Sequence, residues 1–109
     1  SDRRTIYLLN TDWASDQDQH PATFIYKGKK FPVVVRRYHI ETIHCADGLA
    51  VMPASNTTDI LSVCKKENGW VVKVQTTGND VVQCMNAVTG KVEPIKFDEP
   101  GVHEVFVNE

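Results

Sequence analysis

Hydrophobic and polar residues alternate with a period of two along almost the whole chain. In "WVVKVQTT" Trp70, Val72 and Val74 share one face, while Lys73 and Gln75 share the other. That is the half-buried alternation of an antiparallel strand. "FPVVVRR" places Phe31, Val33 and Val35 together, and "HEVFV" sets Val105 and Val107 opposite Phe106. Runs of this kind predict strands at 4–9, 22–27, 31–37, 39–45, 49–52, 59–65, 70–76, 80–85, 91–97 and 102–107. Lys27-Gly28-Lys29 reads as a hairpin turn. Asn68-Gly69, Gly78-Asn79-Asp80, Thr89-Gly90 and Pro100-Gly101 supply further turn-prone residues. No window carries a sustained i, i+3, i+4, i+7 stripe bounded by caps. The pattern therefore predicts an all-β fold, a two-sheet antiparallel sandwich of about eight to ten short strands with little or no helix.

The 109 residues make one domain, 1–109, by size. No internal repeat or linker-like segment divides it. The chain opens on Ser1-Asp2-Arg3-Arg4 rather than Met, with no apolar signal region behind, so it reads as a piece excised from a larger chain. Localisation cannot be read from that start. No apolar run approaches the roughly 20 residues of a membrane helix. Net charge is −2, and the basic clusters (Arg3-Arg4, Lys27/Lys29/Lys30, Arg36-Arg37, Lys65-Lys66) are offset by acidic residues. Neither a membrane nor a nucleic acid is the expected partner, the latter because phosphate neutralisation needs a dominant basic face.

Cys45, Cys64 and Cys84 stand 19 and 20 residues apart. An odd count rules out a fully paired intrachain framework, and no C-x-x-C pair suggests zinc or redox work. Each lies in an apolar stretch and is expected as a small buried hydrophobe. One disulfide with one free thiol is the alternative.

Chemistry is sparse. Asp16, Asp18 and His20 alternate like oxygen ligands of a calcium loop, but the turn glycine and distal Glu of that motif are missing and imidazole suits calcium poorly. A solvated loop from Asn10 to His20, the first hairpin loop, is the expected reading, with no metal. The four serines include no G-x-S-x-G elbow. No glycine loop marks a phosphate or a cofactor, and none is expected. His39 and Glu41 share one strand face, with His44 on the other, so a hydrolytic site there would need a convergence that alternation does not supply. Asn56-Thr57-Thr58 matches the glycosylation sequon, though turn residues before a strand explain it as well.

Sugar stacking needs exposed aromatic rings. Trp13, Tyr26 and Tyr38 are the candidates for carbohydrate or domain contact, and Trp13 alone has surroundings that suggest exposure. Trp70 belongs with Val72 and Val74 in the core. Nine aromatics in all leave few for a platform once a core is built.

"RRTIYLLNTDW", "HPATFIYKGKKFPVVVRRYHIETIHCADGLAVMP" and "VVKVQTTG…EPGVHEVFV" together resemble the C-terminal accessory β-sandwich domains of bacterial glycoside hydrolases and related polysaccharide-degrading enzymes. The resemblance rests on strand and turn patterns, not on catalytic signatures. It implies a non-catalytic domain that packs on the catalytic domain of the same chain and stabilises it. It also implies a periplasmic or extracellular setting, and polysaccharide as a second partner. Two rivals stand beside it: a carbohydrate-binding module using Trp13 with Tyr26 or Tyr38, and a small hydrolase around His39, Glu41 and His44.

Overall fold

The computed structural model describes residues 5–9, 19–36, 40–54 and 57–109. Trp13, Asp16, Asp18, Tyr38, His39 and Asn56 lie outside the described residues.

Among the described residues ten strands follow the predicted order. They are β1 (Thr5–Leu9), β2 (Gln19–Tyr26), β3 (Lys29–Arg36), β4 (Glu41–Ala46), β5 (Leu49–Pro53), β6 (Asp59–Lys66), β7 (Gly69–Thr77), β8 (Asp80–Asn86), β9 (Val92–Phe97) and β10 (Pro100–Asn108). No helix occurs among the described residues. Two hairpins close on two-residue turns with both residues at positive φ: Lys27 (49°) and Gly28 (79°), then Asp47 (48°) and Gly48 (106°). This is type I′ geometry, whose twist matches the paired strands. Asn68-Gly69 works differently. Glu67 and Asn68 make the turn, and Gly69 already pairs within β7. A Cβ at Gly69 would fall on the Val107 carbonyl oxygen, so only glycine lets β7 and β10 approach there.

The strands form three antiparallel sheets, ordered β1-β4-β5-β8-β9, β10-β7-β6 and β2-β3. The five-stranded sheet is the middle layer. Through Leu49, Val51, Val82 and Cys84 it packs on Val63, Trp70, Val72 and Val74 of the three-stranded sheet. Through Ile43, Cys45, Ala50 and Met85 it packs on Phe24, Tyr26, Phe31 and Val33 of the β2–β3 hairpin. Burying each such aliphatic side chain contributes about 1.5–3 kcal/mol against the entropy of ordering the chain.

The all-β, sandwich-like architecture is as the alternation predicts, and the packing adds a layer. In a two-sheet sandwich each sheet keeps one wet face. Here β5, "LAVMP", is buried at every position because both of its faces are covered. The first loop also differs from expectation. β1 pairs with β4 and β2 with β3, so β1 and β2 form no hairpin, and His20 and Pro21 belong to β2. Lying beside β4 sets the Tyr7 ring edge-on to Phe24, centroids 5.5 Å apart, and brings Leu9 against the second core.

All three thiols are free. Cys84 and Cys45 lie in the two different cores, on opposite faces of the middle sheet, so they cannot pair. Burial pushes each of these two thiols up to about 12. The disulfide alternative is not realised.

Candidate functional site

A cleft of about 340 Å³ opens between the β2–β3 hairpin and the middle sheet. Pro21, Pro32, Val34, Met52, Pro53 and Ala54 give it apolar walls, and Gln19, Gln83, Arg36 and Glu41 supply polar groups. Its size is at the small end of the roughly 300–1,000 Å³ usual for ligand sites. Arg36 ends β3 and Glu41 begins β4, so the crossing from hairpin to middle sheet brings them together. Arg36 Nε donates to Glu41 Oε1 at 2.9 Å and Nη2 donates to Oε2 at 3.0 Å. This fork-to-fork geometry helps to make a carboxylate that is 1% exposed tolerable. Nearby, Gln83 Nε2 donates to the Pro32 carbonyl at 3.1 Å and ties the hairpin to β8.

The outer face of the hairpin continues the apolar surface. Pro21 lies opposite Val34 and Thr23 opposite Pro32. Ile25 is 62% exposed and Val34 45%, and with the two prolines they make a strip leading into the cleft. Strips of this kind, rimmed by polar residues, mark contact sites.

The residues picked from the sequence do not converge here. Tyr26 is buried, stacked on Phe24 at 6.1 Å, and its hydroxyl accepts the Gly48 N–H at 3.1 Å. Burial raises its phenol above the usual value. A ring held in that way offers no face to a sugar, so Tyr26 is corrected to a core residue. Its sequence context, an apolar strand position followed by Lys27-Gly28, is that of a core aromatic beside a turn. Trp13 and Tyr38, the other candidates for carbohydrate or domain contact, lie outside the described residues, as do Asp16 and Asp18. His20 sits half-buried on β2. Among the described residues no three His, Cys, Asp or Glu side chains gather as metal ligands.

For the hydrolytic reading, Glu41 has both oxygens engaged by Arg36 and lies on the hairpin side of the middle sheet. His44, three residues along the same strand, faces the other way, and His39 is outside the described residues. Glu41 and His44 therefore share no concave surface.

One buried carboxylate escaped notice in the sequence. Asp80, 0% exposed, accepts from Thr58 Oγ1 at 2.6 Å, from Thr57 Oγ1 at 3.2 Å and from the Thr77 N–H at 3.3 Å. The Thr58 hydroxyl is the main reason its carboxyl is held below the usual range; the Thr77, Thr57 and Gly78 donors add to this, and burial opposes it. Two residues of the sequon thus serve as donors that pin the segment before β6 to the β7–β8 turn. The arrangement is structural.

Comparison of the chain with protein-family models, with curated protein sequences and with solved structures returned no match in any of the three.

Proposed function

We propose that this chain is a non-catalytic accessory β-sandwich that works by contact, seating on a neighbouring catalytic domain through the hairpin strip and the cleft it enters. The observation that carries this reading is the apolar surface formed by Pro21, Ile25, Pro32 and Val34, continuous with the proline- and methionine-walled cleft. A side chain from the neighbour fits a cleft of this size, and the strip supplies the surrounding contact. The carbohydrate-active character of the parent rests on the resemblance of the strand phrases alone. Direct glycan binding has less support, since Tyr26 is a core residue.

The full-length gene product provides the test. Val34→Glu or Ile25→Glu should lower the melting temperature of the neighbouring domain by several degrees and leave that of this isolated domain within about a degree, because both side chains are already exposed. An unchanged neighbour, or a gene product with no further domain, overturns the reading.

A further inference from the structure

Open sheet edges are aggregation and pairing sites, and proteins blunt them with proline, charge or bulges. Among the described residues, five of the six open edges are treated in that way. The β4–β5 and β2–β3 turns fix which residues point their backbone groups inward, since the pair flanking a two-residue loop is hydrogen-bonded and pairs alternate from there. On that count Pro21 of β2, Pro32 of β3 and Pro94 of β9 all stand at positions whose backbone faces the free edge. The edge of β6 carries Lys65 and a bulge between Ile60 and Ser62, and that of β10 carries Pro100 and Glu104.

β1 has none of these devices. Its sequence is Thr-Ile-Tyr-Leu-Leu, with Ile6 48%, Tyr7 42% and Leu8 70% exposed. The same alternation, carried from Ala46↔Leu49 through Cys45↔Thr5, turns the N–H and C=O groups of Thr5, Tyr7 and Leu9 toward β4. Those of Ile6 and Leu8 face outward, beside their own exposed side chains. Ile40, 54% exposed, directly precedes Glu41, whose partner in the ladder is Leu9.

This pattern is complementary to itself. If two β1 strands pair antiparallel about a two-fold axis through Tyr7, Ile6 of each copy stands opposite Leu8 of the other. Both of those are hydrogen-bonded pairs, so every outward N–H and C=O of Ile6 and Leu8 is satisfied at once. The four side chains then cluster on one face, and the two Tyr7 rings meet on the other in a non-hydrogen-bonded pair. We infer that the β1 edge is a self-association site, joining two copies of this chain into one continuous ten-stranded middle sheet. The symmetry is that of an isologous dimer. The contact is one five-residue strand, short beside the roughly 1,000 Å² of a stable interface, so the dimer is a weak one. It uses a different surface from the hairpin strip and stands or falls separately from the accessory reading.

Sedimentation velocity of the 109-residue chain over about 1–500 µM should show a reversible monomer–dimer equilibrium. Leu8→Pro should shift it at least tenfold toward monomer while circular dichroism stays unchanged, because it removes only an outward N–H. Tyr7→Cys in a Cys64→Ser background gives a second, register-specific reading. The α-carbons of position 7 in the two copies would be about 4.5 Å apart, within disulfide reach, and oxidation should yield a covalent dimer. Thr5→Cys in the same background should not, since its counterpart is Leu9. A chain that is monomeric throughout and gives no Tyr7→Cys dimer overturns the inference. So does a dimer indifferent to Leu8→Pro. Protection of the Ile6 and Leu8 amides from hydrogen exchange in a purely monomeric sample would assign the edge to another segment, and would overturn it too.

Discussion

Arg36 and Glu41, five residues apart, face each other at the cleft with two parallel hydrogen bonds of 2.9 and 3.0 Å. They mark where the chain leaves the hairpin layer and enters the middle sheet, so the pair ties the two layers together as well as neutralising a buried charge. Arg36→Met takes the guanidinium away from the buried Glu41 carboxylate and should cost about 3 kcal/mol in urea unfolding. The double variant Arg36→Met/Glu41→Leu should recover at least half of that, because two apolar groups need no partner. If the double variant is as unstable as the single, the pair matters by geometry rather than by charge.

Asp80 predicts an acid response of known sign. Its carboxyl is held below the usual range in the folded chain, so the stability it contributes is present above the unfolded value of about 4 and is lost as pH falls through the lower folded value. Stability measured by denaturant from pH 6 to pH 2 should therefore decline less steeply for Asp80→Asn than for the wild type. Thr58→Val, which removes the 2.6 Å donor, should cost about 1.5–3 kcal/mol at pH 7. Equal slopes for Asp80→Asn and wild type would show that other carboxyls dominate.

Gly69 is a packing glycine, not a turn glycine. Gly69→Ala drives a methyl into the Val107 carbonyl oxygen and within 2.9 Å of the Phe106 ring. The β7–β10 pairing must open to admit it, and a loss of more than about 3 kcal/mol is expected. Gly90→Ala is the control: it has positive φ, 80°, but nothing within contact distance, so its cost should stay near about 1 kcal/mol. Similar losses at the two sites would contradict the packing argument.

The three thiols should separate by reactivity. Cys45 and Cys84, buried and pushed up to about 12, stay protonated and shielded at pH 8, while Cys64 is half-buried on β6. Titration of native protein with a thiol reagent should label one cysteine per chain quickly, and Cys64→Ser should abolish that fast phase. All three should react after unfolding. Fast labelling of two or more native thiols would mean that one of the cores opens readily.

Much of the fold was legible in the residues. The alternation in "WVVKVQTT" and "FPVVVRR" places Trp70, Val72, Val74, Phe31, Val33 and Val35 on buried faces, where the structure has them. It does so because side chains two apart on a strand share a face whatever the strand pairs with. The candidate site was far less legible. Tyr26 looks the same in sequence whether its ring is exposed or buried with its hydroxyl on Gly48, and Arg36 reads as part of a basic pair and Glu41 as a neighbour of His39 until β3 and β4 bring Arg36 and Glu41 together.

Local pattern was enough for the strands, most of their turns, the buried face of most strands and the expectation of little helix. These depend on neighbours within a few positions. Long-range packing was needed to join β1 to β4 rather than β2, to cover the middle sheet on both faces, and to bring a carboxylate at position 80 to donors 22 and 23 residues away. Those outcomes turn on which strands meet across long stretches of chain. The energies that choose among such pairings are spread over many contacts, and no short window of the sequence contains them.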